Sequence, residues 1–195
     1  MARRNDIQDT HDLIRKCAIE LFQKNGFENV TVVQICEAAG VTKRTFYYHY
    51  RSKDELLYGL TNYMGVLAEE LLSSMAEQQT NIGMLWTLMS VYSINSSKLG
   101  PSLIRQIYIH SIRGETRENF PYSTYLFNTV IRTIKNAQLA GEIKNPSKAE
   151  DLAFTLYHAF RSVTVTWAAA NGESDLNEDF RQVFATTLGI THDMF

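Results

Sequence analysis

Cysteine is scarce: Cys17 and Cys36 are the two in 195 residues, too few for the disulfide framework of a small secreted domain and too few to make a zinc site by themselves. Three prolines and ten glycines exclude a loop-rich or low-complexity chain. No uninterrupted apolar run reaches the roughly eighteen residues of a membrane span. The basic start, Met-Ala-Arg-Arg-Asn-Asp, has no apolar stretch behind it of the kind a secretory leader carries. A dominant charge is missing too. Nineteen Lys and Arg against twenty-one Asp and Glu leave a net charge of −2, which excludes a non-specific polycation. Also absent are G-x-S-x-G, the P-loop, H-E-x-x-H and any paired-cysteine metal motif, and the acids are scattered along helix surfaces. No enzymatic activity, resident metal or cofactor is expected from such a chain. His110 and His158 lack a His, Cys or Asp at the i+3 or i+4 spacing of a helical metal site. The expectation is a cytoplasmic protein without a membrane partner, and its 45% hydrophobic residues suffice for a core without staples.

What is present is helix, almost from end to end. Asp9 or Thr10 can cap a first helix whose residues Leu13, Ile14, Cys17, Ala18, Leu21 and Phe22 recur on one face. Asn25-Gly26 ends it. Thr31-Val-Val-Gln34 has the form of a capping box and opens a short helix ending at Gly40; Thr42 can cap a third two residues later. Ser52-Lys-Asp-Glu55 opens a fourth, running to Leu71 or Leu72. Coarser helical patterns follow at about Met84–Ser96, Pro101–Arg113, Ser123–Leu139, Lys148–Ala170 and Leu176–Leu188, with Ser147-Lys-Ala-Glu150 as another capping box. No run alternates as a strand does. The fold class is all-α, with about nine helices, divided into residues 1–51 and a larger helical part, 52–195.

Two helices of about seven residues joined through Ala39-Gly40-Val41 must cross steeply, which makes a helix-turn-helix. Ile35, Ala38 and Phe46 are expected to face Leu21 and Phe22. The average charge hides a patch here: Thr42–Lys53 holds Lys43, Arg44, Arg51 and Lys53 and no acid, interleaved with Tyr47, Tyr48 and His49. In such motifs the second helix enters the major groove, where cationic forks pair with guanine and aromatic edges meet thymine methyl groups.

The stretch V-T-V-V-Q-I-C-E-A-A-G-V-T-K-R-T-F-Y-Y-H-Y-R-S-K-D-E-L, residues 30–56, closely resembles the DNA-binding region of the TetR family of bacterial one-component regulators. The shared pattern is A-G-V-[ST], T-[FL]-Y-x-[HY]-[FY] and S-K-x-x-L at fixed offsets. The resemblance implies that Thr42, Lys43, Arg44 and Tyr48 face bases and that Thr31, Tyr47, His49 and Lys53 hold phosphates of double-stranded operator DNA. Helix N-termini at Thr31 and Lys53 suit an anion. Phe46 and Tyr50 would be supports. Arg44 stands where many members have a small residue, and Tyr50 where Phe is common. Arg3 and Arg4 are either an arm for a minor groove or a disordered terminus.

In the last two helices Leu152, Leu156, Phe160, Val163 and Trp167 form one stripe and Phe180, Val183 and Phe184 part of another. A stripe of this kind fits a monomer core or an interface. The family pairs its final two helices across a two-fold axis, so the resemblance implies that these residues make a homodimer. A small-molecule effector is expected among the middle helices, with Trp86, Arg105, Tyr108, Tyr125, Tyr157 and Arg161 as candidate lining. The function implied is a ligand-responsive regulator, a repressor on a palindromic operator. The rival reading is a helical protein-interaction module without DNA binding.

Overall fold

The computed structural model describes residues 2–57, 80–113 and 124–191, with side chains from residue 9 in the first segment and from 126 in the last. Within these residues there are nine helices and no strand: α1 (Ala2–Asn25), α2 (Val32–Ala39), α3 (Lys43–His49), α4 (described over 53–57), α5 (Asn81–Leu99), α6 (Pro101–Ile112), α7 (Thr124–Leu139), α8 (Ala149–Ala169) and α9 (Leu176–Leu188). The expected course of α4 to Leu71 or Leu72 lies outside the described residues. None of the described helices is long and apolar enough to cross a membrane. The chain forms two compact units, Met1–Thr61 with Ser102–Arg117, and Asn62–Pro101 with Glu118–Phe195. Nearly all of α6 thus belongs with the N-terminal helices.

In the first unit the local chemistry places each turn. The Thr31 hydroxyl accepts the Gln34 N–H (3.3 Å) while the Gln34 side chain accepts the Thr31 N–H (2.8 Å), the reciprocal capping box of the sequence. Gly40, at φ +65°, closes α2: its N–H reaches the Glu37 carbonyl and the Val41 N–H reaches that of Cys36. A side chain at that φ would be strained, so glycine is the residue that lets α3 start after a two-residue turn. Thr42 caps α3 through the Thr45 N–H at 3.1 Å. The core is Ile14, Ala18, Phe22, Phe27, Val30, Ile35, Cys36, Ala39, Phe46, Tyr50, Leu56 and Leu57.

Three expectations change here. The first helix starts at Ala2, so Asp9 and Thr10 lie inside it and Arg3 and Arg4 are helical residues rather than an arm or a disordered end. Ala38 is exposed and Ala39 takes its inward place, because a short helix anchored by Ile35 turns i+4, not i+3, toward the core. Leu13 is exposed, although Ile14 and Ala18 are fully buried.

In the second unit α5, α7, α8 and α9 enclose Leu85, Ile134, Leu156, Phe160, Phe180, Phe184 and Leu188. The Glu142 carboxylate, from the α7–α8 connection, accepts the Asn81 and Ile82 N–H groups at 3.3 and 2.9 Å. An anion there answers the free donors and the positive end of α5, which therefore begins before Met84. Ser147 does not cap α8. Lys148 occupies the cap without a side-chain bond, the Asn145 side chain takes the Ser147 N–H (3.0 Å), and Glu150 pairs instead with Lys135 on α7 (2.6 Å).

Candidate nucleic-acid interface

The α3 helix separates its residues by the helical period. Phe46 is fully buried and Tyr50, just past the end, is 3% exposed, whereas Tyr47 and Tyr48 are 55% and 71% exposed. Lys43 and Arg44 are exposed beside them, and Thr42 precedes them at the exposed cap. Thr42, Lys43, Arg44, Tyr47 and Tyr48 thus share one open surface. It carries guanidinium, ammonium and phenol donors and no carboxylate, which suits the major-groove face of a base pair and its flanking phosphates. Phe46 meets the Tyr47 ring edge-on at 5.4 Å and stiffens the root of the exposed phenol.

Behind that surface lies a contact that sequence spacing does not reveal. His11 of α1 stacks on Tyr50 (centroids 4.6 Å apart, 21° between planes), and the Tyr50 hydroxyl donates to the His11 carbonyl at 3.0 Å. Burial pushes the Tyr50 phenol far above its ordinary range, so it serves as a neutral donor that pins the end of α3 to α1. This gives the Phe-to-Tyr departure at position 50 a physical role. His49 is half-buried, with its ring 6.1 Å from that of His11. Burial first, and the neighbouring His11 second, lower the His49 pKa. No local pattern links residues 11 and 49.

The two remaining phosphate candidates are already engaged. Thr31 is exposed at the start of α2, its hydroxyl within the capping box. Lys53, at the start of α4, is turned inward: its ammonium donates to the carbonyls of Phe27 (2.9 Å), Val30 (3.1 Å) and Glu28 (3.5 Å) and lies 4.4 Å from the centre of the Phe27 ring. Next to it, Asp54 sits 3.3 Å from His110 Nε2 of α6, and His110 meets the same Phe27 ring edge-on at 5.6 Å. Both cysteines hold their protons more tightly than usual because burial disfavours thiolate. Cys17 donates weakly to the Ala38 carbonyl at 3.6 Å, which makes it a packing group between α1 and α2.

Most of the stripe expected at a dimer interface is buried within this chain itself. Leu152, Leu156, Phe160, Trp167, Phe180 and Phe184 are all less than a tenth exposed, and Val163 and Val183 are half-buried. A helical stripe identifies which residues need an apolar neighbour; it does not say whether that neighbour is in the same chain. The outward face of α8 carries different residues, with Phe154 55% and Val165 43% exposed and His158, Ser162 and Ala169 also open. Phe154 packs against His158 at 4.2 Å.

Of the candidate effector residues, Trp86 stacks on Phe180 (5.9 Å) and meets Phe184 (5.3 Å) at the edge of the second unit's core. Tyr157 is buried and its hydroxyl accepts from Arg161 at 3.3 Å. Arg105 and Tyr108 are half-buried on α6, in the first unit, and the side chain of Tyr125 lies outside the described residues. Within the described residues no three His, Cys, Asp or Glu side chains group as metal ligands.

The fold and this surface define a helix-turn-helix protein whose second helix is open to solvent along one face. Residues 14–59 match the family model of the bacterial regulatory proteins of the tetR family. The regulator TcmR of Streptomyces glaucescens is 43% identical over 54 residues, 28% of this chain and 24% of that protein. This chain thus matches about a quarter of TcmR's length. The transcriptional repressor KstR2 of Rhodococcus jostii is 26% identical over 179 residues, 88% of this chain and 85% of KstR2. In fold, the chain is similar to Thermus thermophilus FadR, a TetR-family repressor solved with lauroyl-CoA, with TM-score 0.64, 20% identity and coverage of 91% and 93% of the two chains. Over residues 14–59 the chain thus matches the tetR family model, and over nine-tenths of its length it shares the fold of a TetR-family repressor.

Proposed function

We propose that this protein is a ligand-responsive transcriptional repressor of the cytoplasm that binds a palindromic operator as a homodimer. The observation that carries the reading is the open face of α3, where Lys43, Arg44, Tyr47 and Tyr48 stand free of any acid over a buried Phe46 anchor. Thr42, Lys43, Arg44 and Tyr48 read bases, while Tyr47, His49 and the start of α2 at Thr31 meet phosphates. Residues 1–51 carry this role and residues 52–195 carry dimerisation and effector binding.

One short helix reads only a few base pairs, so a second copy is needed to reach operator specificity and to fix the half-site spacing. The face of α8 that bears Phe154, His158, Ser162 and Val165 is the surface we assign to that copy: an exposed aromatic with an exposed valine and small residues between suits close helix packing about a two-fold axis. The effector is bound by the second domain and favours the state of the dimer that fits DNA less well. The Arg161–Tyr157 pair offers it a positive charge and a hydroxyl, and lauroyl-CoA, present in the structure of the Thermus relative, is the first compound to try.

The test is a fluorescence-anisotropy titration of DNA from upstream of the protein's own gene, at low and moderate salt, with a shuffled duplex as control. A salt-dependent preference for the upstream DNA is expected. Equal binding to both duplexes, or none at low salt, would return the protein-interaction module as the better reading.

A further inference from the structure

We propose that Lys53 is a positioning residue that contacts no phosphate: its ammonium pins the α1–α2 connection, and with it the start of α2, to the first turn of α4. The family pattern places this lysine at a helix N-terminus facing DNA, and the geometry assigns it elsewhere. A lysine ammonium has three N–H donors and no acceptor. Three backbone carbonyls, of Phe27, Val30 and Glu28, lie within reach of those donors at 2.9, 3.1 and 3.5 Å. The Phe27 ring, itself 4% exposed, covers the group from 4.4 Å, a cation–π contact that gains strength away from water. To reach a phosphate, Lys53 would have to leave all four, and the Phe27 carbonyl would keep only the Val30 N–H at 3.3 Å.

What this clamp positions follows from the chain. The connection ends at Thr31, whose capping box starts α2, and α2 sets the angle of α3 through the Gly40 turn. The aromatic ring beneath the ammonium also meets His110, which pairs with Asp54, the residue after Lys53. The first turn of α4, α6 and the entry to the helix-turn-helix therefore share one buried ring, so displacement of α4 or α6 is passed to the reading helix through Lys53.

This inference rests on the DNA-binding reading, and salt dependence separates the alternatives. Each phosphate neutralised contributes about 0.9 to the slope of log affinity against log salt. With Lys53→Met, the folded protein should lose roughly tenfold or more in operator affinity, the scale of a charge-assisted bond, at an unchanged salt slope. Lys53→Arg, which keeps the charge and the donors, should recover most of it. A slope reduced by about two per dimer would make Lys53 a phosphate contact, and unchanged affinity of folded Lys53→Met would leave it no positioning role; either overturns the proposal. Should Lys53→Met fail to fold, amine labelling of the wild-type protein decides. Lys53 should react slowly in the free protein and at the same rate with DNA, while Lys43 reacts fast and is protected by DNA. Fast labelling of free Lys53, or new protection by DNA, would contradict the clamp. Failure of the wild type to bind DNA would break the functional reading instead, with labelling of the free protein still a test of the clamp.

Discussion

The open face of α3 and the outward face of α8 are both left uncovered by their own units, and they are open to different chemistry. The first carries Lys43, Arg44, Tyr47 and Tyr48, the second Phe154, Val165 and small residues around His158. Both helices bury a well-packed opposite side, with Phe46 on α3 and Leu156 and Phe160 on α8. The difference teaches that burial explains one face of each helix, while the chemistry of the other face points to its partner: a polyanion for α3, an apolar surface for α8.

The largest effect should come from breaking the α8 face. Truncating an interface aromatic costs about 2–4 kcal/mol, and a two-fold interface counts each change twice. Phe154→Asp should therefore yield a folded monomer by analytical ultracentrifugation and abolish operator binding at protein concentrations that saturate the wild type. Leu156→Ala, on the inward side of the same helix, should instead lower stability by about 2–5 kcal/mol and leave the surviving folded protein dimeric.

The same contrast can be drawn across α3 with smaller effects. Phe46→Ala should destabilise by about 3–5 kcal/mol, read by urea denaturation, whereas Lys43→Ala should leave the denaturation curve in place. Its cost should fall on operator binding, about 1–3 kcal/mol with relaxed preference at one or two base positions.

The smallest effect should be a pH dependence of opposite sign in folding and binding. His49 in the free protein has a pKa below its ordinary 6.5. A histidine lowered on folding contributes stability that is complete above about pH 6.5 and declines as pH falls, because the unfolded chain takes up the proton first. A phosphate beside the ring favours the protonated form, so operator affinity should rise over the window in which stability falls. Melting temperature and anisotropy measured from pH 7.5 to 5.5 check both signs, and His49→Gln should flatten the binding trend.

The helical period and the local cap signals made much of the fold readable. Thr31 with Gln34, Gly40 and Thr42 marked α2 and the start of α3 to the residue, since all the partners lie within four positions of one another. Signals that act across the chain were silent. Glu142 at the start of α5 and His11 on Tyr50 join residues that no spacing rule connects, whereas Asn145 displaces the expected Ser147 cap by a local bond two residues on. The site was legible where exposure follows from the helical period, as at Lys43 and Tyr48. It was not at Lys53, whose long stem lets the same residue face water or fold inward onto a connection 23 to 26 residues away.

The central claim is that α3 reads sequence through its open basic face. The most direct measurement is the ratio of affinities for the upstream duplex and its shuffled counterpart, for wild type and Lys43→Ala, at one salt concentration. The account predicts a large ratio for the wild type that falls by about five- to a hundredfold in the variant. An equal loss on both duplexes, with the ratio unchanged, would contradict it.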